Sequence, residues 1–353
     1  MKIGFFTESY FPGLDGVTYT LKAWKERLEE RGHEVYIFYP YSPEYEPSEN
    51  EIPIHSFSNP FYQGYRIPIP VRPSSLPDLD IVHCHGPASL GWSGMVYAKM
   101  NSIPAIYTHH TPIEEYFQNA VQNRAVLKVA KAIYRRMETY FLRRFDVVTA
   151  STSRINRDID FLKLPVGLDM QFFQPQDESI IDEMDVERPV IGYSGRLSPE
   201  KNVDRTVEFA EEFDGSVVIV GEGPQKEQLV EKAGENVYFH DFLDREDLPG
   251  FYSGLDAFVT ASTGDTLGLS PLEANACGTP VVAADNPPFD ETIGEENGER
   301  FDLDDEESMA KAISKALNSN YRCREAVERY SLATTIEQLE DIYRRLDEED
   351  GNG

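Results

Sequence analysis

Short apolar runs alternate with longer amphipathic stretches along almost the whole chain. In the first half, residues 19–31 and 90–100 have helical periodicity, and the strand-like runs are KIGFFTE, HEVYIFYP, DIVHCHG and PAIYTHH. The pattern restarts in the second half with PVIGYSG, SVVIVGEG, NVYFHDF, AFVTAS and TPVVAA, between helical residues 202–212, 225–233 and 270–277. Strands that alternate with helices form parallel sheets covered on both faces. The sequence therefore predicts an α/β protein with two doubly wound domains.

The boundary between the two domains is expected in LPVGLDMQFFQPQDES, where the periodicity fails and prolines and polar residues collect. We predict one domain over residues 1–168 and a second over 169–330. A last amphipathic helix is predicted over 331–347, beyond the second sheet, and 348–353 is expected to be a flexible tail.

The composition limits the partners and the habitat. The chain carries 33 Lys and Arg against 62 Asp and Glu, a net charge of -29. So negative a field disfavours nucleic acid and suits a halophilic protein, because high salt screens the self-repulsion. The three cysteines are unclustered, so neither a disulfide framework nor a zinc site is indicated. No apolar run approaches a membrane span and no signal peptide is evident, so we expect a cytoplasmic protein whose membrane contact is peripheral.

In open α/β sheets ligands bind at the carboxyl ends of the strands. The loop after the first strand, SYFPGLDGVTYT, contains Gly13 and Gly16, which let backbone N–H groups approach a ligand; an ordinary turn is the alternative. It lacks the G-x-G-x-x-G spacing, and nothing in the chain matches a P-loop. After PAIYT come His109 and His110, whose side chains point to opposite sides of an extended segment. One imidazole can therefore enter a cleft while the other packs or is solvated.

Two loops of the second half carry features of a diphosphate site. RLSPEKN places Arg196 and Lys201 beside a helix start near Pro199, where a guanidinium fork and an ammonium suit a diphosphate. The alternative is a pair of surface cations screened by acidic neighbours. VGEGP, which contains Glu222, is a glycine turn well placed to lie along a nucleobase.

The stretch TGDTLGLSPLEANACGTPVV holds two carboxylates, Asp265 and Glu273, eight positions apart. Ser270-Pro271-Leu272-Glu273 has the form of a capping box, which predicts a helix with Ser270 at its N-cap and an end near Gly278. The loop before it would present backbone N–H groups and a partial positive charge to an anion. Taken alone, Glu273 reads as a helix cap.

The order GLDG, HHT, GRLSPEKN, GEGP and DTLGLSPLEANACGTPVV resembles glycosyltransferase family 4, whose members are retaining enzymes with two Rossmann-like domains facing across a cleft, the GT-B type. The resemblance, over residues 1–295, implies an acceptor-side N-terminal domain, a nucleotide-sugar donor domain, and a C-terminal helix that packs back toward the N-terminal domain. It implies that Gly16 lies beside the donor diphosphate and that His110 lines the reaction centre. Arg196 and Lys201 would neutralise the diphosphate, Asp265 would contact the sugar hydroxyls, and Glu273 would bind the ribose. The donor site would be completed by Glu222 and by the amides of Gly268, Leu269 and Ser270.

These roles imply a metal-independent reaction without a cofactor, in which the nucleotide-diphosphate sugar is a co-substrate. Negative charge builds on the leaving diphosphate, and Arg196, Lys201 and the helix amides would stabilise it. D-x-D triplets occur at Asp78, Asp158 and Asp302, but none falls in a convincing cleft loop of this acidic chain. Two features depart from the family. Asp265 stands where glutamate is usual, and STSRINRDIDFLKLPVGLD is compressed where a full helix is usual.

The segment VQNRAVLKVAKAIYRRMETYFLRRF reverses the local charge. It holds one acid, Glu138, against seven basic residues: Arg124, Lys128, Lys131, Arg135, Arg136, Arg143 and Arg144. A basic amphipathic helix here could lie on an anionic membrane surface, on the acceptor side of the site. The alternative is a helix whose cations pair with acids of the same chain. FTESYFPGLDGV and the TLG of DTLGL also resemble members that glycosylate diacylglycerol or polyprenyl lipids.

The sequence therefore predicts a hexosyltransferase that acts on a lipid or lipid-linked acceptor, peripheral on the inner face of the cell membrane. A nucleotide-sugar epimerase of the same architecture is one alternative, although it would need acid and base residues on both faces of the sugar. A non-catalytic sugar-nucleotide-binding subunit is another, and the presence of His110, Arg196 and Lys201 argues against it.

Overall fold

The structure, a computed structural model, describes residues 1–13, 16–58, 66–110, 117, 123–153 and 157–350. The chain divides into two compact units. The first comprises Met1–Gly167 together with Thr335–Gly353, and the second comprises Leu168–Thr334.

The first unit contains a parallel sheet of seven strands within its described residues, in the order β3-β2-β1-β6-β7-β8-β9. The strands are β1 (Lys2–Phe6), β2 (Glu34–Pro40), β3 (Glu51–Ile54), β6 (Ile81–Cys84), β7 (Ala105–His109), β8 (Val147–Ala150) and β9 (Leu162–Lys163). A separate antiparallel pair consists of β4 (Ser56–Ser58) and β5 (Arg66–Pro68). Apart from Lys2 at the start of β1, the central strands β1, β6 and β7 are buried, as apolar runs in a sheet covered on both faces should be.

Helices cover both faces of this sheet: α1 (Gly16–Glu30), α2 (Ser89–Asn101) and α3 (Arg124–Leu142). Adjacent residues of β1 show the two faces, because side chains alternate along a strand. Phe5 packs against Trp24 of α1 with ring centroids 6.4 Å apart. Phe6 faces α2, where a Cβ added at Gly94 would come within 2.8 Å of the phenylalanine ring. Glycine at this position thus lets α2 approach the sheet closely.

The second unit, whose residues are all described, holds a six-stranded parallel sheet in the order β12-β11-β10-β13-β14-β15. Its strands are β10 (Val190–Ser194), β11 (Ser216–Val220), β12 (Val237–His240), β13 (Ala257–Thr260), β14 (Val281–Ala284) and β15 (Gly298–Phe301). Its helices are α4 (Ile180–Glu183), α5 (Val203–Phe209), α6 (Lys226–Lys232), α7 (Leu248–Gly254), α8 (Leu269–Ala276), α9 (Phe289–Thr292), α10 (Glu306–Leu317) and α11 (Cys323–Val327).

The last helix, α12 (Leu332–Asp350), belongs to the first unit from Thr335 onward. Tyr343 is fully buried there, and its hydroxyl lies 2.8 Å from Nδ1 of His83 in β6. Glu340 pairs with Arg31, at the end of α1, at 2.7 Å. The predicted packing of the C-terminal helix on the N-terminal domain is confirmed, and the helix continues three residues beyond its predicted end.

The two doubly wound sheets confirm the predicted fold class, and the predicted strands and helices lie within a few residues of their expected bounds. Several elements were not predicted: β3, the β4–β5 pair, β8, β9, β15, α4, α7 and α9–α11. Most of them are short, so they carry little periodicity. β3 also contains a proline, in EIPI, which argues against a strand because proline within a sheet is tolerated mainly at an edge. β3 is such an edge strand.

Candidate active site

In the first unit, candidate site residues lie at the carboxyl ends of β1, β6 and β7. Glu8 follows β1, and its Oε1 accepts hydrogen bonds from the backbone N–H groups of Leu90 and Gly91, at 2.9 and 3.2 Å. These amides begin α2, where a carboxylate is favoured. Burial nevertheless raises the pKa of Glu8 to about 7. Sequence reasoning missed this residue, although an acid directly after the first strand of such a sheet was a usable signal.

Gly16, predicted to lie beside the donor diphosphate, is the first residue of α1. Its carbonyl accepts a hydrogen bond from the Thr20 hydroxyl at 2.6 Å. Residues 14–15 of the GLDG loop lie outside the described residues, as do 111–116 of THHTPIEEYF and 154–156 of STSRINRDIDFLKLPVGLD. The described residues between β8 and β9 form no helix.

His109 is the last residue of β7 and His110 follows the strand; both side chains are buried, and they have different neighbours. Nε2 of His109 lies 3.6 Å from Oε1 of Glu138 in α3. Glu138 also accepts a 2.6 Å hydrogen bond from Nε of Arg157. Burial alone would raise the pKa of Glu138, but His109 and Arg157 lower it below its ordinary value. This acid of the basic segment is thus a buried structural partner.

His110 joins a cluster of buried histidines. Its Nε2 lies 3.0 Å from Nδ1 of His85, and the His85 ring packs on that of His83 with centroids 4.1 Å apart. Burial, and then the neighbouring His109, lower the pKa of His110 to about 3. Burial lowers the pKa of His83 and His85 well below the ordinary value as well. All three imidazoles are therefore neutral at pH 7.

Sequence reasoning missed His83 and His85, although their spacing held the signal. Residues two apart on a strand point to the same face. The HCH triplet of DIVHCHG therefore places both imidazoles on one side of β6, next to the strand that delivers His110.

In the second unit, three loops at the carboxyl ends of β10, β11 and β13 pack side by side. Leu197 donates its N–H to the carbonyl of Glu222 at 2.8 Å, and Thr263 donates its N–H to the carbonyl of Glu200 at 2.8 Å. A Cβ added at Gly221 would lie 1.9 Å from the carbonyl oxygen of Gly195. Glycine is therefore required where the first two loops meet.

These loops bring two of the predicted site residues into contact. The ammonium of Lys201 lies 2.7 Å from Oδ1 of Asp265. Arg196 is exposed and forms no ion pair with a described residue. The side chain of Glu222 pairs with Lys226 at the start of α6. The helix expected near Pro199 is instead a 3₁₀ turn (Pro199–Lys201), and α5 begins two residues after it.

The predicted capping box is wrong. α8 begins at Leu269, its N-cap is Gly268, and no side chain caps it. The left-handed φ of 77° at Gly268 starts the helix earlier than Ser270, and a Cβ there would lie 2.7 Å from the Phe289 ring. Glu273 consequently lies at the fifth position of the helix rather than the third, too far along to reach back to the N-cap.

Glu273 bonds a tyrosine hydroxyl instead of the backbone N–H group that a capping box would give it. Its Oε2 accepts a hydrogen bond from the buried Tyr252 hydroxyl at 2.9 Å. Burial raises the pKa of Glu273 to about 7, although Tyr252 and Arg245 oppose the shift. Because the carboxylate is not used to cap α8, it remains available for ligand hydroxyls.

The predicted basic segment forms α3 and the turn that follows it; residues 121–122 of the segment lie outside the described residues. Arg124, Lys128, Arg135, Arg136 and Arg143 are exposed, and Lys131 and Arg144 are half-buried. Arg143 pairs with Asp158 at 2.9 Å, and the Arg144 guanidinium lies 3.4 Å from the Tyr140 ring centroid. The helix also exposes one apolar stripe: Val126, Val129, Ile133, Met137 and Tyr140.

The described residues contain neither a candidate metal-binding cluster nor a candidate membrane-spanning helix. Among the described residues, no group of three or more His, Cys, Asp or Glu is arranged to hold a metal ion. Within the same part of the chain, no helix is both long enough and apolar enough to cross a bilayer.

Comparisons with known proteins match both halves of the chain. The family model described as Glycosyltransferase Family 4 matches residues 14–165, and that of Glycosyl transferases group 1 matches residues 176–332. The alpha-monoglucosyldiacylglycerol synthase of Acholeplasma laidlawii is 27% identical over 342 residues, which cover 87% of this chain and 86% of the relative. The GDP-mannose-dependent alpha-mannosyltransferase of Mycolicibacterium smegmatis is 27% identical over 360 residues, covering 95% and 94%.

Solved structures share the fold over nearly the whole chain. Sucrose-phosphate synthase from Thermosynechococcus elongatus has a TM-score of 0.76 at 21% identity, with 98% of each chain covered. The Anabaena protein HepE, solved in complex with UDP, has a TM-score of 0.74 at 17% identity, with 98% of this chain and 100% of that chain covered.

The paired Rossmann-like domains and the matched family models define a glycosyltransferase of the GT-B type. The chain belongs to glycosyltransferase family 4.

Proposed function

We propose that this glycosyltransferase transfers a hexose, with retention of anomeric configuration, from a nucleotide-diphosphate sugar to a lipid or lipid-linked acceptor at the cytoplasmic face of the membrane. The observation that carries the donor half is the set of loops in which Lys201 contacts Asp265, beside the exposed Arg196 and the uncapped start of α8. The relatives named for glucosyldiacylglycerol synthesis support a lipid acceptor.

The donor chemistry assigns roles to these loops. Cleavage between the anomeric carbon and the phosphate oxygen leaves negative charge on the nucleoside diphosphate. Arg196 supplies a planar fork for phosphate oxygens, and Lys201 supplies a compact charge. The first amides of α8, at Leu269 and Ser270, have no partner within the helix and complete the stabilisation without a metal ion.

The remaining residues orient the donor. Glu273 is proposed to accept the two ribose hydroxyls, and Asp265 to accept hydroxyls of the hexose while it holds Lys201. The glycine turn around Glu222 is proposed to lie along the base. On the acceptor side, Gly16 is proposed to lie near the diphosphate and His110 at the reaction centre. The solved complexes of HepE with UDP and with UDP-glucose support a donor of this chemical class.

The acceptor half of the proposal depends on α3. Its apolar stripe is more than half exposed, from 54% at Val126 to 64% at Met137, in a helix whose other exposed positions are rich in Arg and Lys. A stripe of this kind beside basic residues suits the interface of an anionic bilayer. In a chain of net charge -29, this local excess of positive charge also orients the protein toward such a surface.

The test is incubation of the purified protein with a panel of nucleotide sugars, with and without a lipid extract. Transfer predicts nucleoside diphosphate release that depends on the extract, together with a new glycolipid whose anomeric configuration matches the donor. Conversion of the sugar nucleotide without release would instead indicate an epimerase, and binding without any conversion would indicate a non-catalytic subunit. The Arg196→Ala variant should lose release, while the control Arg205→Ala, in α5, should retain it.

A further inference from the structure

His85 and His110 share one hydrogen bond between two ring nitrogens. Nδ1 of His85 lies 3.0 Å from Nε2 of His110, and the residues are only 6% and 8% exposed. Between two neutral imidazoles, one nitrogen must donate and the other must accept. The pair therefore has two alternative arrangements, and each fixes a different tautomer on His110.

The surroundings of His85 distinguish the two arrangements. Its ring is enclosed by Phe5 and Trp24, with centroids 5.0 and 5.8 Å away, and by His83. Nε2 of His85 is buried and has no hydrogen-bond partner among the described residues. His83 cannot be that partner, because its two nitrogens bond Tyr343 and Thr108.

An orphaned buried N–H group is rarer in proteins than an under-satisfied buried acceptor. If His85 were protonated on Nε2, it would bury an N–H group with no partner. If it is protonated on Nδ1, the unpaired atom is a ring lone pair, and the N–H group donates to His110. Nε2 of His110 then accepts, so the proton of His110 lies on Nδ1.

We propose that His85 is a positioning residue that holds His110 as the tautomer protonated on Nδ1, so that His110 presents an N–H donor at the reaction centre. The inference rests on the proposed function for the place of His110, but the tautomer itself does not depend on turnover. Nδ1 of His110 has no hydrogen bond to a described residue.

The consequence is a defined chemical role. Burial lowers the pKa of both rings, so neither takes up a proton at neutral pH. With Nε2 engaged and Nδ1 protonated, His110 has no free lone pair to accept the proton of an attacking hydroxyl. It can donate a hydrogen bond to an oxygen of the donor or of the acceptor, and it acts by orientation and charge stabilisation rather than as a base.

The first test reads the tautomer directly in the wild-type protein. Long-range proton–nitrogen correlation spectra of protein labelled with ¹⁵N-histidine distinguish protonated from unprotonated ring nitrogens, and the His110→Gln variant identifies the His110 signals. We expect a protonated Nδ1 and an unprotonated Nε2. A protonated Nε2 on His110 would overturn the inference whether or not the protein transfers sugar.

The second test uses two nearly isosteric variants. His85→Asn places an amide donor where Nδ1 lies, whereas His85→Asp places an acceptor there. We expect His85→Asn to keep kcat within about 3-fold, and His85→Asp to lose about 10-fold or more and to move the His110 proton to Nε2. Equal kcat values for the two variants, with the same His110 tautomer, would contradict the proposal.

The matched control is His83→Gln, which alters the neighbouring buried histidine without touching His110. It should lower Tm but leave the nitrogen signals of His110 in place, which separates a positioning effect from a loss of packing. If all variants fold and show the expected tautomers but no donor and acceptor pair supports transfer, the proposed function fails while the His85 assignment stands.

Discussion

The ammonium of Lys201 lies 2.7 Å from Oδ1 of Asp265, and the two side chains are only 19% and 23% exposed. The contact ties the loop after β10 to the loop after β13. The residue proposed to neutralise the diphosphate is therefore held by the residue proposed to bind the sugar. Because the pair is largely buried, removing either member takes this ion-pair contact away from the other charge.

The first prediction concerns this coupling. Lys201→Ala should lower kcat on the order of 10²-fold, because it removes a cation from the leaving group. Asp265→Ala should lower it as well, and the double variant should lose much less than the product of the two losses, since the residues act as a unit. Steady-state kinetics of the wild type, the two single variants and the double variant test this prediction, with Lys232→Ala as the control. Independent losses that simply multiply would show that the contact has no role in turnover.

Asp265→Glu tests the departure from the family. The longer side chain keeps the charge for Lys201 but moves the carboxylate by one methylene relative to the sugar. We expect the ratio of kcat/KM between two hexose donors of the same nucleotide to change by about 10-fold, since bound hydroxyls discriminate strongly. Asp214→Glu, on an exposed loop of the same unit, is the control. An unchanged donor ratio would remove Asp265 from sugar recognition.

Arg196 is exposed and forms no ion pair with a described residue, so its replacement should spare the fold. Arg196→Ala should keep Tm and lower kcat by roughly 10²-fold or more. The kcat of Arg196→Lys should lie between that of Arg196→Ala and that of the wild type, because an ammonium keeps the charge but not the bidentate fork. Calorimetry and kinetics on the same samples decide the point. Normal turnover of Arg196→Ala would reject the assignment.

The sequence predicted where the candidate site loops of the second unit lie. These loops follow the carboxyl ends of strands, and locating a strand needs only local periodicity. It placed Arg196 and Lys201 after one strand and Asp265 after another, and the structure brings the last two into contact. The sequence did not predict where α8 starts, because the φ of Gly268 and the position of the adjacent Phe289 ring are set by tertiary packing.

The first unit's histidine cluster depended on contacts that no single segment encodes. His85 meets His110 only because β6 and β7 are neighbours in the sheet, and His83 is fixed by Tyr343, 260 residues later in the chain. The same holds for Glu8, whose amide partners lie at the start of α2. Period-two spacing could have suggested the shared face of His83 and His85, but not its partners.

Glu273 should make stability depend on pH in a defined direction. Its pKa is about 7 in the folded protein against an ordinary value of 4.5, so the folded state holds a proton that the unfolded chain releases between these values. The contribution of Glu273 to the free energy of unfolding therefore falls by up to about 3 kcal/mol as pH rises from about 4.5 to about 7. Above about pH 7 this contribution is constant.

Glu273→Gln removes this titration. The free energy of unfolding of the variant, taken relative to that of the wild type, should increase between pH 5 and pH 8. The KM of the variant for the donor should also rise, because the ribose contact is lost. The buried histidines titrate in the opposite sense, but they are common to both proteins and cancel in the difference. Urea unfolding at the two pH values measures it, with Glu231→Gln, an exposed residue of α6, as the control. A stability difference that is the same at both pH values would contradict the raised pKa.

The last prediction separates charge from apolar contact on α3. A charge-neutralised variant, with Arg124, Lys128, Arg135 and Arg136 changed to Gln, should bind anionic vesicles at least about 10²-fold more weakly at low salt, since each basic residue near such a surface contributes about 1 kcal/mol. A matched variant with Arg205, Lys232, Lys311 and Lys315 changed to Gln has the same net charge and should bind as the wild type. The triple Ser variant of Val129, Ile133 and Met137 should lose the binding that survives in high salt, where screening leaves only the apolar term. Vesicle sedimentation across a salt series measures all three, and equal binding by the two charge variants would show that α3 is not the contact surface.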